Sequence, residues 1–243
     1  MMIPALKNIQ PSVRRLEEIA ALAYDQEWLK AADLKTKVYS VWRDVAENDQ
    51  DRDRITQAGL RYDITEFAPL TLGQEYNKTY GHTHSLVPGT ALAYTEIYEV
   101  LAGKVCFLFQ KFSGDKIEDI FAVWCSAGDK YIIPPSYAHI SVNPTKERAV
   151  MANWLALAGQ QDYQGIKAMK GAGYYALIPR ENEPNRDIDW VKNENYAVVP
   201  ELRFAEPNNL SQFDIAPNQP MYQLVNELEK LDFLKNPQNY SWR

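Results

Sequence analysis

From Leu60 onward the chain alternates. Leu60-Arg61-Tyr62-Asp63-Ile64-Thr65-Glu66-Phe67 switches between apolar and polar positions, the period of a strand whose two faces meet different surroundings. The pattern resumes in segments that end at Tyr80, Tyr98, Phe109, Trp124, Ile133 and Trp154, punctuated by Gly73, Gly89, Gly103, Gly114 and Gly128 as turns. Short strands with regular turns and no long helices between them predict a sandwich or small barrel. A closed barrel of that size has room inside for a metal and one small ligand.

Either side of this stretch the texture differs. Val13, Leu16, Ile19, Ala20 and Ala23 recur at helical spacing behind a start signal at Pro11-Ser12, opposite Arg14, Arg15, Glu17 and Glu18, and a second helix is expected through Val38, Val41 and Trp42. The charged run Glu47–Arg54 reads as a solvated loop or helix face. Residues 1–60 are therefore expected as a helical extension packed on the outside of the barrel and residues 61–196 as the barrel. Residues 197–243 form a C-terminal extension ending in a helix that starts at Asn218-Gln219-Pro220. Its apolar stripe of Met221, Leu224, Val225, Leu228 and Leu231 must bury against something, the barrel first and a dimer partner second.

Composition narrows the class. The 243 residues suffice for a full core, and 46% hydrophobic with 24% charged residues is ordinary for a globular chain. A net charge of −6 without a Lys/Arg cluster argues against a nucleic-acid surface. No apolar run is long enough to span a bilayer, and Met1–Lys7 has no signal-peptide core, so no membrane partner and a cytoplasmic location are expected. Cys106 and Cys125, the only cysteines, sit in apolar strand-like contexts and read as buried reduced thiols.

All three histidines, His82, His84 and His139, fall within one stretch. In a strand, His82 and His84 point to the same side and can grip one ion. Glu96 lies in a β-rich run beyond the turn at Pro88-Gly89, where a neighbouring antiparallel strand brings its carboxylate to that face, and His139 completes the set from a distant strand. Three imidazoles and a carboxylate suit a divalent first-row ion with open positions for substrate, Fe2+ first, with Mn2+, Ni2+ or Zn2+ as alternatives. An isolated His-x-His is as often a simple pair; what favours ligation is that no histidine lies outside the group.

These residues lie in two patterns: Gly81-His82-Thr83-His84 leading to Glu96 and Gly103, and Gly128 leading through Pro134-Pro135-Ser136 to His139 and Asn143. They resemble the two motifs of the cupin superfamily, a double-stranded β-helix or jelly-roll barrel. Two departures stand out. The spacer from His84 to Glu96 is longer than usual, which implies a longer hairpin over the site mouth, and Ser136 replaces the usual glycine, which implies altered turn geometry.

Within the cupins, Thr79-Tyr80-Gly81-His82-Thr83-His84, Glu96-Ile97-Tyr98 and Pro134-Pro135-Ser136-Tyr137-Ala138-His139 resemble the cupin-type glucose-6-phosphate isomerases of archaea and bacteria, over roughly Tyr62 to Tyr196. The resemblance implies metal ligation by His82, His84, Glu96 and His139. It implies phosphate contacts from Thr65, Thr79 and the Gly81 backbone, and a sugar pocket lined by Tyr94 and Tyr98, with Tyr163 reaching it from downstream. It further implies a sugar phosphate as the small-molecule partner, a homodimer, and aldose–ketose isomerisation between glucose 6-phosphate and fructose 6-phosphate. Glu96 is the candidate proton shuttle, and a direct hydride shift is the mechanistic alternative. Where the family has Ala-Gly-His-Asp-Tyr-Gly, this chain has Ala158-Gly159-Gln160-Gln161-Asp162-Tyr163, with the histidine absent. An iron dioxygenase acting on a small organic substrate, or a non-catalytic sugar-phosphate-binding cupin, would use the same fold.

Overall fold

The alternation in the sequence becomes a run of strands. Among the described residues, which are 6, 9–180 and 187–242 of this computed structural model, the strands in chain order are β1 (Ser12–Arg15), β2 (Lys37–Trp42), β3 (Leu60–Phe67), β4 (Thr71–Leu72), β5 (Glu75–Lys78), β6 (Thr83–His84), β7 (Glu96–Ala102), β8 (Lys104–Ser113), β9 (Lys116–Ser126), β10 (Lys130–Ile132), β11 (Ala138–Asn143), β12 (Ala149–Ala156), β13 (Gln161–Asp162), β14 (Tyr174–Leu177), β15 (Asp189–Lys192) and β16 (Arg203–Ala205). All five turn glycines of the sequence pattern take positive φ, between 60° and 97°, a region that costs glycine nothing and other residues about 1 kcal/mol or more. The expectation for Met1–Lys7, Leu6 apart, falls outside the described residues.

Two sheets carry the chain. One has the order β1-β2-β3-β12-β7-β10, the other β15-β14-β5-β11-β8-β9-β16 with β4 beside β5, and β13 pairs with β6 in a small ribbon. Neighbours such as β3 and β12, or β5 and β11, are far apart in sequence, which is the connectivity of a jelly roll rather than a meander. The sheets face each other and their aromatic rings meet between them: Tyr98 of β7 stacks on Phe107 of β8 at 5.0 Å, and Tyr131 of β10 on Phe109 of β8 at 5.1 Å. The protein is mainly β, with this curled two-sheet barrel as its body. Cys106 and Cys125 are buried free thiols, as read from their contexts.

The first sheet is apolar on both faces, and each face has its own cover. Phe67, Tyr98, Val100 and Met151 point into the barrel, while Tyr62, Ile64, Ile97, Ile132, Val150 and Trp154 point outward. The outward set is covered by the C-terminal segment, through Leu210, Phe213, Met221, Leu224, Leu231, Phe233 and Leu234. The stripe predicted from Met221 to Leu231 thus docks on the barrel. It does so as two 3-10 stretches, Met221–Asn226 and Leu228–Leu234, rather than one helix, because Glu227 leaves helical geometry at φ −141°.

The N-terminal sixty residues differ from the helical wrap expected of them. Short helices are present at Leu16–Ile19 and Asp49–Gln57, the latter capped by the Asn48 side chain, but β1 and β2 add two strands to the first sheet, with Val41 opposite Thr65 and Trp42 opposite Ile64. Lys37-Val38-Tyr39-Ser40-Val41-Trp42 is rich in β-branched and aromatic residues that pack on a pleated surface. Its Val38–Val41 spacing imitates a helix only because both residues are apolar. The Leu16–Ile19–Leu22 burial pattern is helical in fact, but only for two short turns. Among the described residues, no helix is long and apolar enough to cross a membrane.

A buried charge pair fastens the C-terminal cover. Glu99 faces outward from β7 and pairs with Lys130 at 3.0 Å. Its Oε2 accepts the Met221 N–H, and the Lys130 ammonium also donates to the Gly128 and Pro217 carbonyls. Lys130→Met would leave Glu99 charged and unpaired in the interior, and should cost about 3–5 kcal/mol. Adding Glu99→Met should recover part of that loss. Denaturant unfolding of the two variants checks both outcomes.

Candidate metal centre

The second face of β7 begins the site. Glu96 opens the strand, and its inward neighbours Tyr98 and Val100 follow at alternate positions. β11 enters from the opposite sheet, bringing His139 across from Phe109. The loop before β6 bridges to it: His82 and His139 exchange backbone hydrogen bonds of 3.3 and 3.0 Å. Gly81 makes this approach possible, because its φ is +80° and a Cβ there would run into Ile140.

One potential ligand atom from each of His82, His84, Glu96 and His139 lies within 4.8 Å of the others. Glu96 Oε2 is 3.2 Å from His84 Nε2 and 3.4 Å from His139 Nε2. These three atoms and His82 Nε2 are buried with no hydrogen-bond partner, a costly arrangement for polar groups unless something binds them together. The orientation of one ring has a clear cause. His84 Nδ1 lies 3.0 Å from the Tyr94 carbonyl, so Nδ1–H donates there and Nε2 keeps its lone pair for a metal. Burial, then the neighbouring His139 and His84, holds His82 well below the usual imidazole value, so it stays neutral. Burial lowers His139 likewise. Burial alone would push the Glu96 carboxyl up, but the His139 and His84 rings outweigh it and hold Glu96 far below the usual carboxylate range. Imidazole lone pairs around an ionised carboxylate are the donor set a divalent ion requires.

A cavity opens beside this cluster. Its walls include His82, Glu96, His139, Thr65, Thr79, Gly81, Tyr98 and Tyr163, so these residues, predicted from the sequence to act together, surround one space. Thr79 Oγ1 accepts the Ser141 N–H at 3.0 Å, leaving its own proton free to donate. Burial and the nearby Glu96 push the Tyr98 hydroxyl well above its ordinary value, so it remains a donor. Tyr163 donates to Gln161 Oε1 at 2.6 Å, and both line the cavity. Tyr94 does not line it; it precedes β7 and acts on the site through its carbonyl to His84.

The two motif departures resolve as follows. The spacer after His84 folds back as a hairpin, with Tyr94 N donating to Ser85 O and Val87 N to Leu92 O around a turn at Gly89. Ser136 does not alter the turn: it adopts the left-handed conformation itself, at φ 69°, and its hydroxyl accepts the Ala93 N–H. That bond ties the hairpin to the second motif and offsets the cost of a side chain in this region.

Sequence reasoning missed four polar residues of the cavity: Arg14, Arg43, Asp63 and Asn153. Asp63 and Asn153 are register partners, and Asn153 is also opposite Tyr98, so the three form one polar rung across β3, β12 and β7. The signal was available in the alternation of β3, whose polar positions face inward rather than toward solvent.

The nature of the chain follows from comparison. The Glucose-6-phosphate isomerase (GPI) family matches residues 13–197, a span that contains every residue of the cluster and cavity. No curated protein matches the chain in sequence. Among solved structures, it is similar to Lactobacillus farciminis oxalate decarboxylase in a formate complex (13% identity, 63% of this chain and 33% of that one, TM-score 0.38). It is similar to the vicilin of Corylus avellana, hazelnut (12%, 64% and 34%, 0.38), and to a recombinant oxalate oxidase in complex with glycolate (16%, 74% and 63%, 0.31). The chain therefore spans about a third of the length of the first two.

Two outcomes are expected here. Adding a divalent first-row ion to chelator-treated protein should raise Tm, since an ion bound only by the folded state stabilises it, and His139→Gln should abolish most of that rise in a thermal melt. Burial raises the Asp63 carboxyl from 3.8 to about 6, against the lowering effect of Arg61. The folded state thus keeps a proton that the unfolded chain releases, so the contribution of Asp63 to stability is greatest below about pH 4 and falls by about 3 kcal/mol as pH rises past about 6. Asp63→Asn should flatten that slope in denaturant titrations at pH 4 and pH 6.

Proposed function

Because the chain belongs to the glucose-6-phosphate isomerase family, we propose that it interconverts glucose 6-phosphate and fructose 6-phosphate at the cavity beside His82, His84, Glu96 and His139. The observation that carries this reading is the family match itself, whose span takes in the four-donor cluster and the donor-lined cavity together. Those four residues would hold a divalent ion, Fe2+ by preference, which when bound polarises the carbonyl and hydroxyl oxygens of the sugar.

The remaining chemistry falls to the chain. Glu96 presents Oε2 to His84 and His139 and also takes a hydrogen bond from the Tyr98 hydroxyl; its carboxylate would take the proton from one carbon of the substrate and return it to the next. The ionised carboxylate has the free lone pair that proton transfer needs, at the cost of weak basicity. Thr65, Thr79 and the Gly81 backbone hold the phosphate, and the Tyr98 hydroxyl, a donor at all working pH values, orients the sugar. Tyr163 donates to Gln161, the residue that stands where other family members carry a histidine. The enzyme on this reading serves glycolysis and gluconeogenesis in the cytoplasm, as a homodimer with neither a nucleic-acid nor a membrane partner.

The test is a coupled assay for fructose 6-phosphate conversion after chelation and again with Fe2+, Mn2+, Ni2+ or Zn2+ restored. Turnover should vanish and return. Glu96→Gln should lower kcat by about 10²- to 10⁴-fold, with metal content measured on the same sample to separate lost ligation from lost proton transfer. A fully metallated protein that leaves the sugar phosphate unchanged and consumes oxygen with a small organic acid would replace the isomerase by a dioxygenase.

A further inference from the structure

The phosphate donors named so far, Thr65, Thr79 and the Gly81 backbone, are neutral, yet a phosphate monoester near neutral pH carries almost two charges. The cavity contains an unused positive charge. Arg43 follows β2 directly, and the register that sets Val41 opposite Thr65 and Trp42 opposite Ile64 carries Arg43 to the level of Asp63. By alternation it shares the inward face of Val41 and Thr65, and it lines the cavity with them. Its Nη1 is buried and has no hydrogen-bond partner.

The obvious counter-charges are committed elsewhere. Both Asp63 oxygens take Arg61 Nε at 3.0 Å, and Oδ1 also accepts the Asp44 N–H. Glu96 faces the histidines. Arg14, the other guanidinium on the cavity wall, is bound to Glu18 at 2.7 Å and lies over the Tyr80 ring. The backbone around Arg43 is held firmly: Asp44 turns the chain at φ 55°, its carbonyl accepts from Arg52, and Val45 N donates to Tyr62 O. An uncompensated guanidinium nitrogen, buried on a fixed backbone, is unfavourable for the empty protein and favourable for one that binds an anion there.

We propose that Arg43 is the anion-recognition residue of the cavity, binding the tetrahedral phosphate dianion of the substrate beside Thr65 and Thr79. The identity of that anion as a sugar phosphate rests on the isomerase reading; the anion site itself does not. Arg43 supplies the cationic complement that the chain lacks at Gln161.

Arg43→Gln and Arg43→Lys, assayed in metal-loaded protein, test this. Arg43→Gln should raise KM for fructose 6-phosphate about 10- to 100-fold and weaken competitive inhibition by inorganic phosphate to the same extent, the loss falling on KM rather than kcat. Arg43→Lys should recover part of both. Tm without phosphate should change little, because the buried Nη1 makes no hydrogen bond within the protein, whereas a merely structural role would lower it. The stabilisation of Tm by inorganic phosphate should be lost in Arg43→Gln. Wild-type turnover with unchanged KM and phosphate inhibition in Arg43→Gln would overturn the Arg43 assignment and leave the isomerase reading standing. Absence of turnover in wild-type protein, with phosphate stabilisation that depends on Arg43, would overturn the isomerase reading and leave the anion site standing. Phosphate stabilisation that is absent, or equal in Arg43→Gln, would overturn the anion site.

Discussion

A carboxylate surrounded by imidazoles in a protein interior is a demanding arrangement. Each donor in the Glu96 cluster is stripped of water, and a bare set of this kind is tolerable only if the surrounding fold fixes it firmly. Each ligand stands on a different part of the chain: β7, β11, the loop ahead of β6, and β6 itself. The two sheets must therefore be in register with each other before the site exists at all. The His82–His139 backbone bridge is the point at which the loop and β11 are locked together.

The first sheet reconciles this polar interior with an apolar environment by dividing labour along each strand. Alternate residues of β3, β7 and β12 supply Asp63, Glu96, Tyr98 and Asn153 to the cavity while their neighbours supply Tyr62, Ile97 and Trp154 to the opposite face. Such a sheet cannot remain one-sided. The outer neighbours are large and apolar, so a second layer must cover them, and the C-terminal residues form that layer. The extension is thus a requirement of the metal centre's own strands rather than an ornament on a complete barrel.

Much of this was legible in the sequence for a physical reason. Turn glycines and strict alternation encode β-structure locally, and three histidines confined to one stretch mark a ligand set without any knowledge of topology. Thr65, Thr79, Gly81 and Tyr163 were placed through family resemblance, and all four line the cavity. Less legible was whatever depends on partners distant in sequence. Val38, Val41 and Trp42 fit a helical spacing, and only the presence of β3 beside them makes a strand the better use of those residues. The C-terminal stripe showed what is buried but not that Glu227 would break the helix. Arg43 and Asp63 went unrecognised, because the polar phase of an alternating strand ordinarily faces water, and here it faces an enclosed site.

The clasp formed by Lys130, Glu99 and Met221 also has a temporal meaning. During synthesis, β7 and β10 emerge well before the segment that covers them, Met221 lying 122 residues after Glu99. Until that segment arrives, Glu99 lacks one of its hydrogen-bond donors and the Trp154 face of the sheet is open to other hydrophobic surfaces. A nascent chain in this condition is the kind of partly assembled β-protein that associates with its neighbours or with chaperones. The covering segment, once made, closes that face and ends the vulnerable interval.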